Sequence, residues 1–143
     1  MKKFLMTLLA ATLAFAGISR AAEYPDISIG DLKKAIADKK VAIIDVNGTE
    51  SYAKGHIPGA IDYEASKEKL ATLLPKDKST LVVAYCGGPQ CTAYTQGAKA
   101  AKAAGYTNIK HLSVGISGWV DAKEKTEAAK EDKKGEKTEK KKA

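Results

Sequence analysis

From Thr80 to Tyr85 the chain never alternates polar with apolar residues, and Cys86-Gly87-Gly88-Pro89 follows at once. A strand that is apolar on both faces must be covered on both, which places it inside a parallel sheet clothed by helices. The rest of the chain agrees. Val41-Ala42-Ile43-Ile44 is a second β-branched run ending at Asp45. Ala60 to Tyr63 and Asn108 to Leu112 read as further short strands. Between them lie helical patterns: one opening near Ile29 with Ser28 or Asp31 as cap, Ser66 to Leu74 stopped by Pro75, an Ala-rich stretch from Thr92 to Ala104 closed by Gly105, and a last helix over Gly115 to Ala122. Strands alternating with helices predict an α/β domain with a mostly parallel sheet.

The ends differ from this middle. Met1 to Ala21 has the layout of a secretory signal peptide: Lys2 and Lys3, an uncharged run from Phe4 to Ile18, and Ser19 and Ala21 at the −3 and −1 positions of a cleavage site. The uncharged run is 15 residues long, shorter than the roughly 20 that span a bilayer as a helix. Cleavage is therefore expected rather than an uncleaved anchor, giving a periplasmic or secreted protein with no stable membrane insertion and a mature domain over residues 22–122. From Lys123 to Ala143 the chain is nearly all Lys, Glu, Ala and Thr. It lacks a burying face, so a solvated helical extension or a disordered tail is expected. The formal charge of +7 resides almost wholly in these two ends. The middle is close to neutral, which argues against a nucleic-acid groove.

A strand ending in Cys, then a Gly-rich loop, then a helix is an arrangement with chemical consequences. Loop N–H groups and a helix N-terminus favour negative charge at the sulfur, and the thiolate is the nucleophile. Pro89 has no N–H, so the expected donors are Gly87, Gly88, Gln90, Cys91 and Thr92. Gly87 and Gly88 are expected to supply unusual backbone angles. On this pattern alone, Cys86 is either a nucleophile or a small buried packing residue. Cys86 and Cys91 close a loop too short for a bond between them to stabilise the fold much, so a disulfide there has a functional use or none.

Ile44-Asp45-Val46 followed by Glu50-Ser51-Tyr52-Ala53-Lys54-Gly55-His56-Ile57-Pro58-Gly59-Ala60-Ile61 closely resembles the first signature of the rhodanese family. Tyr85-Cys86 with its loop, Ala98 to Tyr106, and Gly115-Ile116-Ser117-Gly118-Trp119 resemble the second half. The resemblance runs from about Ile29 to Ala122. It implies a five-stranded sheet flanked by helices on both faces, with the active loop at the carboxyl end of a central strand. It also implies that Cys86 takes a sulfane sulfur from a small sulfur-containing anion or polysulfide, holds it as a persulfide, and passes it to a thiol or other nucleophile. No cofactor beyond that covalent sulfur is implied. The six residues from Cys86 to Cys91 match the loop of the sulfurtransferases, whereas related phosphatases use a loop one residue longer.

Two positions depart from the family. Its sixth loop residue is commonly Arg, and here it is Cys91; two residues after Asp45, where Arg is frequent, stands Asn47. Losing a fixed cationic fork weakens the expectation of efficient thiosulfate turnover. Cys91 is then a candidate resolving thiol, or a packing residue facing the sheet. The competing functions are a sulfurtransferase or sulfur carrier, a dithiol redox protein using Cys86 and Cys91, and a non-catalytic binding module. Asp45 is expected to tie down nearby backbone N–H groups, and His56 and Gly59 to be structural. Cys-x4-Cys with His56 and His111 is not zinc spacing, so no metal is expected. Trp119 and Tyr106 are assigned to the core.

Overall fold

The computed structural model describes residues 23–128. The leader over 1–21 and the tail beyond residue 128 lie outside these residues. Helix α1 (Ile29–Ala37) leads to strand β1 (Val41–Asp45), helix α2 (Thr49–Lys54), strand β2 (Ala60–Asp62) and helices α3 (Tyr63–Ser66) and α4 (Leu70–Leu73). Strand β3 (Leu81–Tyr85), helix α5 (Tyr94–Ala103), strand β4 (Ile109–Leu112) and helix α6 (Gly115–Asp121) complete the order. The strands form a wholly parallel sheet in the order β2-β1-β3-β4.

The run that most constrained the sequence lies in the middle of this sheet, and its side chains divide by parity. Val82 and Ala84 join Ile44, Leu70, Leu74, Ala98, Ala101 and Tyr106 on the α5 face. Val83 and Tyr85 join Leu32, Ile43, Ile57, Leu112 and Trp119 on the face covered by α1 and α6. The small residues of α5 let it sit close to the sheet. A Cβ at Gly97 would stand 2.9 Å from Ile44 Cγ2 and 3.1 Å from Val46 Cγ1.

Among the described residues the sheet has four strands, where the family resemblance implied five. The lead-in does approach the β4 edge, but only as a single parallel bridge between Asp26 and His111. His111 N–H donates to Pro25 O and Ile27 N–H to His111 O, each at 2.9 Å. The next rung toward the N-terminus needs an N–H from residue 25, and proline has none. In the other direction Ser113 N–H turns to the Asp26 carboxylate at 2.8 Å, and Ser28 leaves the edge to cap α1 by accepting from Asp31 N–H.

The helix expected over Ser66 to Leu74 is instead broken into α3, a 3₁₀ turn at Lys67–Lys69, and α4. Asp62 caps the first piece, accepting from Ala65 N–H, so helix begins at Tyr63, inside the expected strand. Non-helical angles at Ser66 and Lys69 then re-aim the chain to bury Leu70 and Leu74. Helix α5 starts two residues later than Thr92 and ends as expected, with Gly105 at φ +94°.

Past Ala122 the chain stays on the domain as far as it is described. Lys125 O accepts from Trp119 Nε1 at 2.8 Å, and Lys33 meets Glu124 at 2.8 Å. Glu127 pairs antiparallel with His56 through two backbone hydrogen bonds. Its carboxylate also accepts from Gly59 N–H at 3.1 Å.

Candidate active site

Cys86 follows directly on β3 and is 3% exposed. The root of its loop is held from below by α6: Ile116 N–H donates to Cys86 O at 2.9 Å and Ser117 N–H to Gly87 O at 3.0 Å. This close approach depends on Gly115, whose φ is +59°. A Cβ there would stand 2.6 Å from Gly88 N and 2.7 Å from Gly87 C, and it would also strike Cys86 O. Backbone cannot swing aside as a side chain can, so only glycine fits. Gly87 and Gly88 themselves do not adopt positive φ. The unusual backbone angle expected of them is supplied by Gly115 instead, and Gly88 gives room to Ser117 Oγ.

Beyond its root the loop makes a β-turn. Cys91 N–H donates to Gly88 O at 2.9 Å, with Pro89 second in the turn, where its fixed φ is favoured. The turn folds Cys91 back over Cys86. Their Cα atoms are 6.2 Å apart and their sulfurs are joined in a disulfide, a separation in the usual range for such a bond. Cys91 is half-buried, and it is bonded to Cys86 rather than packed on the sheet as a free small residue. Its amide, expected to face a substrate, is occupied by Gly88 O. The N–H groups of Gly87, Gly88, Gln90 and Thr92 have no protein acceptor among the described residues.

Below the loop lies a polar relay. Asp45 is 1% exposed. One carboxylate oxygen accepts from Asn47 N–H at 2.7 Å and from the Asn47 amide at 2.8 Å, as expected of a strand-end Asp. The other accepts from Tyr85 O–H, and Tyr85 oxygen in turn accepts from Ile57 N–H at 3.0 Å. Burial and the Asp45 charge push the Tyr85 phenol well above its ordinary range, so it stays neutral. The relay ties the His56–Gly59 segment to the residue immediately before Cys86. Tyr85 was legible only as the last apolar residue of a strand. The available signal was an aromatic with a polar tip beside a strand-end Asp.

Asn47 donates its amide hydrogens downward to Asp45, and its Oδ1 lies 3.7 Å from the Cβ position of Gly87. An acceptor therefore borders the loop at Gly87. His56 Nδ1 donates to Tyr52 O at 2.8 Å, and its ring stacks on Tyr52 at 3.7 Å. His111 repeats the device with Tyr24 O at 2.9 Å and the Tyr94 ring at 4.2 Å. Gly59 turns the chain into β2 at φ +76°. Trp119 and Tyr106 are buried in opposite cores. Among the described residues no three His, Cys, Asp or Glu side chains cluster as a metal site would require. No described helix is long and apolar enough to cross a membrane.

The family model for the rhodanese-like domain matches residues 28–122. The chain belongs to the rhodanese-like family. The chain is 35% identical over 82 residues to the HTH-type transcriptional regulator Rv0324 of Mycobacterium tuberculosis, a match covering 56% of this chain and only 34% of the regulator. It is 28% identical over 117 residues to the uncharacterized protein YibN of Escherichia coli, covering 80% of each. Among solved structures, the thiosulfate sulfurtransferase from Pseudomonas aeruginosa superposes with a TM-score of 0.63 at 23% identity. That match covers 78% of this chain and 21% of the other, and it bears on the fold alone.

Proposed function

We propose that this rhodanese-like domain is a sulfur carrier or sulfurtransferase working through Cys86. The Cys86 thiolate attacks the outer sulfur of a small sulfur-containing anion or polysulfide, keeps that sulfur as a persulfide, and yields it to a thiol or another nucleophile. The reading rests on one observation: Cys86 sits at the carboxyl end of a central strand, its carbonyl anchored by α6, beneath a loop whose Gly87 and Gly88 N–H groups have no protein acceptor. Donors of that kind stabilise a thiolate or a persulfide anion. With Cys91 in the sixth loop place and Asn47 beside Gly87, no Arg stands at either position to clamp a dianion. Persulfides and polysulfides are therefore favoured over thiosulfate as donors. The carried sulfur is covalent, so the scheme uses no separate cofactor.

Intact-mass spectrometry tests the reading. Reduced Cys91→Ser protein mixed with polysulfide should gain about 32 Da, one sulfur atom, and Cys86→Ala should not. A second reading, a dithiol redox protein, is favoured by the Cys86–Cys91 bond. It predicts no sulfur adduct even on Cys91→Ser, and a reversible loss of about 2 Da when the wild type is oxidised. We place this chemistry outside the cytoplasm, on the signal-like pattern of Met1 to Ala21. N-terminal sequencing of the exported protein should begin near Ala22.

A further inference from the structure

A loop that carries sulfur on Cys86 and also bonds Cys86 to Cys91 has a second reaction open to it. We infer that Cys91 discharges the Cys86 persulfide as hydrosulfide, making the domain a dithiol-driven reductase of sulfane sulfur. The inference rests on sulfur loading at Cys86 and adds what becomes of the sulfur.

The step balances within the protein. The Cys91 thiolate attacks Sγ of Cys86, the inner sulfur of the persulfide. The Sγ–Sγ bond forms, the bond from Cys86 Sγ to the outer sulfur breaks, and its electron pair leaves with that sulfur as hydrosulfide. The outer sulfur is reduced by two electrons, and the two cysteines together are oxidised by two. Attack on the outer sulfur would only move the persulfide from one cysteine to the other. The geometry selects between these outcomes, because the Gly88–Cys91 turn brings Cys91 Sγ onto Cys86 Sγ itself, as the disulfide records.

The same geometry supplies the reset. Cys86 is buried, while Cys91 is half-buried between exposed Gln90 and Thr92. An external dithiol therefore reaches Cys91 Sγ first. Cys86 leaves as thiolate at the loop root, beside the Gly87 and Gly88 N–H groups that have no protein acceptor. The second thiol of the donor then resolves the mixed disulfide, and the donor departs as its own disulfide. The partner so defined is a protein or small-molecule dithiol reductant.

The test uses reduced full-length protein, freed of reductant without oxygen and mixed with glutathione persulfide, whose leaving group is a thiol rather than sulfide. Hydrosulfide is trapped with an alkylating bimane while intact mass is followed. Wild type should release about one hydrosulfide per chain and finish about 2 Da below the reduced mass. Cys91→Ser and Cys91→Ala should retain an adduct of about 32 Da and release at least roughly tenfold less sulfide. Trp119 fluorescence checks that both variants are folded. A wild type that holds its adduct without releasing sulfide overturns the discharge step while leaving sulfur carriage standing. Equal sulfide from the Cys91 variants overturns it too. If no folded form acquires the adduct, sulfur loading fails and discharge fails with it.

Discussion

Gly115→Ala sets a methyl group against the main chain of the loop that bears Cys86. Two costs arise. An L-residue at φ +59° costs roughly 1–2 kcal/mol. The added Cβ at 2.6 Å from Gly88 N and 2.7 Å from Gly87 C meets backbone, so relief requires moving the loop, at a further cost of about 1–3 kcal/mol. The expected destabilisation is the sum, on the order of 2–5 kcal/mol. Gly105→Ala isolates the first cost, since Gly105 has φ +94° and nothing within 4 Å of its Cβ position. Urea unfolding of the reduced proteins, compared at unchanged m-value, gives both numbers. Displacing the loop also displaces Cys86, so under the proposed function sulfur loading of Gly115→Ala should slow by about 100-fold, whereas Gly105→Ala should load normally. If Gly115→Ala proves no less stable than Gly105→Ala and loads at the wild-type rate, the contact between α6 and the loop does not position Cys86.

Tyr85→Phe leaves a buried Asp45 oxygen and the Ile57 N–H without a partner, and should cost about 2–4 kcal/mol in denaturant unfolding. The same hydroxyl sets an alkaline limit. Its raised pKa means that above about pH 10 the unfolded chain loses a proton that native Tyr85 retains. Stability should then fall by up to about 1.4 kcal/mol per pH unit as pH rises, and Tyr85→Phe should show a shallower alkaline decline; identical slopes would refute the assignment. Gly97→Ala presses a methyl onto Ile44 and Val46, so a loss of about 1–3 kcal/mol is expected, with sulfur loading at Cys86 unchanged. Removal of residues 123–143 strips the Lys125 acceptor from the Trp119 indole and the Glu127 pairing from His56. A red shift in emission of the sole Trp and a lowered thermal midpoint are expected; an unchanged spectrum would mean that the strap does not order that face.

What was legible in the sequence follows a physical division. Strands β1 and β3 announce themselves because burial on both faces leaves unbroken apolar runs, and the place of Cys86 directly after β3 was readable because the later run ends there, before Gly-Gly-Pro. Contacts closed by distant residues were not readable. The hydroxyl of Tyr85 finds Asp45 across 40 positions, and Gly115 serves a loop far behind it in the chain. The single-bridge edge at Asp26 turned on the missing N–H of Pro25, a detail that a strand pattern does not weigh. The docking of residues 124–127 ran against a Lys- and Glu-rich composition, because main-chain pairing with His56 needs no apolar side chain.

The turn that carries Cys91 has an evolutionary side. Pro89 and Gln90 form its exposed crest, while the Cys86 carbonyl is held directly by Ile116 N–H of α6. A lineage can therefore revise the surface that an incoming molecule meets by changing two or three residues, without re-engineering the floor on which the thiol stands. The crest is tied to that floor by the hydrogen bond from Cys91 to Gly88 and by the Cys86–Cys91 disulfide, so its two outer residues can vary while both links hold.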